Sequence, residues 1–147
     1  MSESQQAEVV LSYPSPFGYA TFVRTTAKAF VIYMDKTGGQ AIEKALNGIC
    51  GERPLTHELI CSILDGLDCK VRDVLIYKEQ EGTFFAKLTL LMRNELGEKI
   101  VEIDSRPSDA LSIAIRNKAP IEVLNSVLKN LEDVTDVLEE IKRKKLF

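Results

Sequence analysis

The sequence predicts a single α+β domain: an antiparallel or mixed sheet, built from N-terminal strands plus a three-stranded meander, packed by several helices and followed by a helical C-terminus. Three observations predict it. The spacing of apolar residues is helical in some stretches and changes to a period of two from Val71 onward, so both element types are present. A length of 147 residues suits one compact domain with a substantial core. A composition of 45% hydrophobic and 28% charged residues, with no fixed-spacing repeat and no low-complexity segment, belongs to an ordinary globular chain. The domain is expected over residues 1–130, with 131–147 as a C-terminal helical extension.

Taken in order, residues 9–13, 19–24 and 29–34 have strand composition and are separated by Pro14, Pro16, Gly18 and the polar stretch 25–28. Gly38-Gly39 reads as a turn. Ala41, Ile42, Ala45, Leu46 and Ile49 then recur at helical spacing, and Gly48 and Gly51 stop that helix. After Pro54, Thr56 is the expected cap of a second helix whose stripe is Leu59, Ile60, Ile63, Leu64 and Leu67, ending near Gly66. The alternation from Val71, the polar turn at 79–82, the Phe-, Thr- and Leu-rich stretch 83–92 and a second turn at Asn94 and Gly97 into 98–104 predict the meander. Residues 106–117 form an amphipathic helix with Ala110, Leu111, Ala114 and Ile115 on one face and Asp109, Ser112 and Arg116 on the other. Residues 121–124 are a further short strand. Ser126 is placed to cap the last element, one or two helices carrying Val127, Leu128, Leu131, Val134, Val137, Leu138 and Ile141.

Charge and cysteine usage exclude several functions. The net charge is −3, so the molecule as a whole repels a phosphate backbone and any nucleic-acid contact must be local. The basic run Lys142, Arg143, Lys144 and Lys145 closes a helix, where cations offset the negative end of the dipole. Cys50, Cys61 and Cys69 are odd in number and contain no CxxC, and His57 is the one histidine, so no tetrahedral zinc centre is expected. The cysteines read as free thiols in a reducing compartment. The polar, acidic stretch 1–8 lacks the order of a secretory signal, and no apolar run approaches the roughly 20 residues of a membrane helix. A cytoplasmic protein without a membrane partner is the expectation.

Two clusters can carry chemistry. The first is Asp104-Ser105-Arg106-Pro107-Ser108-Asp109, where a strand ends and a helix begins. Two carboxylates across such a turn can share a divalent cation, an arginine between them can grip a phosphate with its planar fork, and backbone N–H groups of the helix start add anion affinity. The same residues also suffice for a plain helix start, with Pro107 in the first turn, Ser105 or Ser108 as cap, and Arg106 paired to Asp109. The second cluster is Arg53-Pro54-Leu55-Thr56-His57. An imidazole ordinarily titrates near 6.5, which suits His57 to proton transfer, while the structural alternative makes it an exposed first-turn residue behind a Thr56 cap. No phosphate-binding loop, GxSxG or Cys–His motif fits, and Phe84 and Phe85 read as core rather than as a single-strand binding surface.

Arg53-Pro54-Leu55-Thr56-His57, then Thr83-Phe84-Phe85-Ala86-Lys87-Leu88, then residues 104–110 with Arg116, Ala119, Pro120 and Ile121, come one after another in the order and spacing of the bifunctional nuclease family. The chain resembles that family over roughly residues 31–128. The resemblance implies an α+β domain, a homodimer, and hydrolysis of phosphodiester bonds in DNA and/or RNA. One departure stands out: Gln40 occupies a position where the family pattern usually has glutamate, and Glu43, one turn later, lies on a different part of the helix surface. The catalytic candidates are Asp104, Asp109, His57 and Arg106, with Asp104 and Asp109 holding Mg2+ or Mn2+. The substrate-binding candidates are Arg53, Thr56, Ser108, Arg116 and Lys87. The alternative is a non-catalytic regulatory or protein-interaction module retaining the fold, motivated by the negative charge, the lack of a basic groove and Gln40.

Overall fold

The computed structural model describes residues 3–145. Its first strand, β1 (Ser4–Ser15), is longer than its composition predicts, because two different partners hydrogen-bond it. Residues 4–7 pair antiparallel with a strand from late in the chain, β7 (Ile121–Leu124), whereas Glu8 to Ser15 pair with β2 (Gly18–Arg24). A register shift between Val9 and Leu11 lies close to where one partner gives way to the other. β3 (Ala29–Met34) completes the N-terminal hairpins, and β4 (Cys69–Gln80), β5 (Thr83–Asn94) and β6 (Gly97–Ser105) form the expected meander. The strand order is β3-β2-β1-β7-β4-β5-β6, with the β4–β7 pair parallel and the others antiparallel, so the sheet is mixed.

The sheet is strongly curved. Phe30 of β3 stacks on Phe84 of β5 with ring centroids 5.8 Å apart, although β2, β1, β7 and β4 lie between those strands. The concave face carries the main core, including Val23, Ile32, Ile42, Val74, Ile76, Leu111 and Val123. Into it pack α1 (Lys36–Leu46), α3 (Pro107–Asn117) and the short α4 (Asn125–Leu128), with α2 (Thr56–Gly66) lying against α3 and β4. The convex face is covered over β1–β3 by α5 (Thr135–Lys145), whose fully buried Leu138 joins Ala20, Phe22 and Ala29 in a second cluster. Lys28 ties the approach to α5 in place by donating from Nζ to the carbonyls of Leu128 (2.8 Å) and Leu131 (2.9 Å). Lys144, from the basic run, pairs with Glu140 one turn earlier, at 3.4 Å. Residues 1–2 of the polar N-terminus, the Lys145 side chain and residues 146–147 of the helical extension lie outside the described residues. Among the described residues no helix is long and apolar enough to cross a membrane.

Several local expectations are corrected. Gly38-Gly39 is not a turn but part of the first turn of α1. Those positions need glycine because a Cβ on Gly39 would lie 2.1 Å from the Tyr19 Cβ, and one on Gly38 would lie 2.8 Å from the Ser108 Cβ, so α1 rests directly on β2 and α3. The helix ends at Leu46, leaving Ile49 exposed. Thr56 is the first residue of α2 rather than its cap; Leu55 takes the cap position and contributes no side-chain hydrogen bond. Neither Ser105 nor Ser108 caps α3, where Arg106 is the cap residue, and Ser126 lies inside α4 behind Leu124. Ser112, expected on an open polar face, is fully buried, since α1 and α2 cover the side of α3 that the sheet does not.

Replacing Gly39 with alanine should destabilise the fold by about 2 kcal/mol or more, because the clash is with Tyr19 Cβ and Cγ, which the β2 backbone holds in place. Gly66→Ala, at the end of α2 with no atom within 4 Å of the added Cβ, should be neutral or slightly stabilising. Urea denaturation of both variants reads the difference; equal midpoints would contradict the proposed close approach.

Candidate active site

The starts of three helices meet near one rim of the curved sheet, and with Lys44 and Arg116 from the last turns of α1 and α3 they enclose a cavity of about 300 Å³. α1 contributes Gln40 and Lys44, α2 contributes Thr56 and His57, and α3 with its cap contributes Arg106, Asp109 and Arg116. Each helix start presents unpaired backbone N–H groups and the positive end of a dipole. At α1 this is offset by Asp35, whose Oδ1 accepts from the Gly38 N–H at 2.7 Å. α2 and α3 begin without any side-chain cap.

The centre of the cavity is Asp109, in the first turn of α3. One carboxylate oxygen lies 2.8 Å from His57 Nε2, and the other accepts from Arg106 Nε at 2.9 Å. Burial pushes the Asp109 carboxyl upward, but hydrogen bonds from Arg106 and His57, with their charges, outweigh it and hold the group below its ordinary value. An ionised carboxylate only accepts, so Nε2 carries the proton of this contact; in the neutral ring Nδ1 is then the basic nitrogen. Nδ1 has no hydrogen-bond partner among the described residues. The His57 side chain is 13% exposed and Arg106 69%, so the imidazole sits deep and the guanidinium at the mouth.

The structure therefore brings His57, Arg106 and Asp109 into direct contact, and Thr56 and Arg116 to the same walls. It does not bring Asp104 there. Lys87 and Asp104 are opposite one another in the β5–β6 register, while their neighbours Ala86 and Leu88 are buried in the concave core, so Asp104 and Lys87 project from the convex face. Asp104 Oδ1 accepts from the Tyr77 hydroxyl at 2.9 Å, a bond that raises the Tyr77 pKa, and Lys87 pairs with Glu102 at 3.6 Å. Arg53 is exposed on the segment before α2 and does not line the cavity. Ser108 is buried against the Gly38 position and lines a neighbouring cavity of about 250 Å³.

Sequence reasoning did not single out Asp35, Lys44 or Glu58. Glu58 faces Arg116 at 3.9 Å, with both side chains largely buried. A signal existed in Glu58, the residue after His57 in the first turn of α2, but its partner is on another helix and no local spacing reveals it.

The curled sheet and the His–Asp pair among cationic side chains define a class: an α+β domain with a His–Asp pair seated in a cavity between its helices. The bifunctional nuclease domain model matches residues 23–135, and the chain belongs to that family. An uncharacterised protein of Mycobacterium tuberculosis is 34% identical over 97 residues, covering 66% of this chain and 55% of that protein. Bifunctional nuclease 1 of Arabidopsis thaliana is 34% identical over 79 residues, covering 54% of this chain and 24% of that protein. Bifunctional nuclease 2 of Oryza sativa subsp. japonica is 32% identical over 83 residues, covering 56% and 25%. The chain thus matches about half the length of the mycobacterial relative and a quarter of the plant ones.

Because the folded Asp109 carboxyl is held below its ordinary value, its contribution to stability is complete above about pH 4 and is lost as pH falls through the folded value. Asp109→Asn should lower the melting temperature by about 2–4 °C at neutral pH. That gap should narrow as the pH falls through the lowered folded value of the carboxyl. Thermal melts across this range check the sign; a gap that widens in acid would contradict it.

Proposed function

We propose that the chain hydrolyses phosphodiester bonds of nucleic acid at the cavity between the starts of α1, α2 and α3. The observation that carries this reading is the 2.8 Å contact between His57 Nε2 and Asp109 in a cavity also lined by Lys44, Arg106 and Arg116. A phosphodiester is an anion, and the uncapped starts of α2 and α3 with three cationic side chains supply attraction and hydrogen-bond donors for it. His57 Nδ1 takes the proton of an attacking water, Asp109 fixes the ring tautomer and stabilises the imidazolium that forms, and the same nitrogen returns the proton to the leaving oxygen. Arg106 at the mouth and Arg116 on the wall hold the phosphate, and Thr56 lies beside it at the first turn of α2.

The pair expected to hold Mg2+ or Mn2+ does not fit that ion. Asp104 and Asp109 project from opposite sides of the sheet, and both oxygens of Asp109 are already engaged by His57 and Arg106. Among the described residues no group of three or more His, Cys, Asp or Glu side chains is arranged to hold a metal. No step of the reading is routed through one.

A non-catalytic regulatory module is the second reading, favoured by Gln40: it lines the cavity where the family pattern usually has glutamate. A homodimer is part of the proposal, supported by Leu59 and Ile63 on α2 and Leu67 just past its end, each half exposed or slightly more. A cytoplasmic location is supported by three free cysteines.

Purified wild type, His57→Ala and Asp109→Asn assayed on single-stranded and duplex DNA and RNA test the reading, with and without EDTA. His57→Ala should lose cleavage by about 100-fold or more while melting as a folded protein. Equal cleavage by all three proteins would assign it to a contaminant and leave the regulatory reading.

A further inference from the structure

The convex face of the sheet is clothed by α5 over β1–β3 but bare over β4 and β5, whose helix contacts are to α2, α3 and α4 on the concave side. On the bare part stand Tyr77 and Phe85, the latter half-buried outside the core that the sequence predicts for it and that only Phe84 enters, with ring centroids 6.3 Å apart and planes at 52°. Each ring has its own cation: Lys87 Nζ lies 4.9 Å from the Tyr77 centroid and Lys78 Nζ 5.1 Å from that of Phe85. Asp104 fixes the Tyr77 hydroxyl at the β6 side.

We propose that this face is a stacking platform for single-stranded nucleic acid, feeding the cavity on the other side of the rim; the inference rests on the nuclease reading. Aromatic faces beside flexible ammonium groups suit unpaired bases and the phosphates between them, since every base offers a π-face. A duplex hides those faces, and a chain of net charge −3 has no extended basic groove to hold one. Of the acidic neighbours, Glu102 is paired with Lys87 and Asp104 keeps its charge while accepting from Tyr77, whereas Lys78 has no ion pair among the described residues and is the cation left for a phosphate. The two sites lie on opposite faces, and a nucleic-acid strand joining them has to pass round the rim. Arg106 is two residues beyond Asp104, about 7 Å of extended backbone. The neighbouring cavity, lined by Gly82, Thr83 and Phe84 at the β4–β5 turn, shares Asp35 and Arg106 with the active cavity, so the two adjoin on the concave side, and a nucleic-acid strand leaving them rounds the β4–β5 turn to meet Phe85 on the other face.

The test is fluorescence anisotropy with labelled oligo-dT and oligo-U, and the matching duplexes, against wild type, Phe85→Ala, Phe85→Leu and Lys78→Gln. Phe85→Ala should weaken single-strand binding about tenfold, Phe85→Leu nearly as much because bulk without a ring does not stack, and Lys78→Gln should flatten the salt dependence. If Phe85→Ala fails to fold, Phe85→Leu carries the comparison. Single strands bound as tightly by both Phe85 variants as by wild type, or duplex preferred over single strand, would overturn the platform. Wild-type hydrolysis of bis(p-nitrophenyl) phosphate, too small to reach Phe85, is measured alongside. Its absence together with Phe85-dependent binding would refute the nuclease reading and leave the platform standing.

Discussion

Three helix starts crowd one rim of the sheet, and their like-signed positive ends have to be balanced where they meet. Two aspartates do most of this. Asp35 satisfies the start of α1, and Asp109 sits in the first turn of α3 while also receiving the imidazole of α2. The crowding is possible because Gly38 and Gly39 let α1 approach Ser108 and Tyr19 with no side chain in between. Remove the balance and the cavity loses both its shape and its charge pattern; keep it, and donors for an anion remain at α2 and α3, whose starts have no side-chain cap.

One carboxylate thereby does two jobs that are usually described separately. The Arg106–Asp109 pair is what a plain helix start would show, and the sequence alone could not tell it from a site. What distinguishes it is the second oxygen of Asp109, turned to an imidazole 52 residues earlier in the chain. Structural and chemical readings of the 104–109 segment are compatible, because the contact that steadies α3 also orients His57.

Elements with a strong local signal were legible. The strands at 29–34 and 121–124 begin and end where strand-like, apolar composition and flanking breaks place them, and the meander is explained by period-two patterning around the turns near residues 81 and 96. What depended on distant partners was not. Residues 4–8 are polar and become strand because β7 and β2 bind them. Gly38-Gly39 looks like a turn unless one knows that Tyr19 lies against it, and Ser112 looks solvated until α1 and α2 enclose it. Asp104 and Asp109 seem close along the chain, yet a pleated strand end sends Asp104 to the convex face while the helix carries Asp109 to the concave one. The meeting of His57 with Asp109 is a property of the curl of the sheet and the packing of α2 on α3, which no residue spacing encodes.

The divided pairing of β1 bears on the order in which the molecule can be assembled during translation. Residues 4–7 leave the ribosome long before 121–124, their antiparallel neighbours, have been made, and the Asn125 amide that closes onto the Glu3 carbonyl is later still. The N-terminal hairpin can form early on local contacts, but β7 is also the bridge to β4, so the two halves of the sheet cannot join until nearly the whole domain has been synthesised. Until then the N-terminal hairpins and the β4–β6 meander are separate sheets, with the edges of β1 and β4 that β7 will join left unpaired.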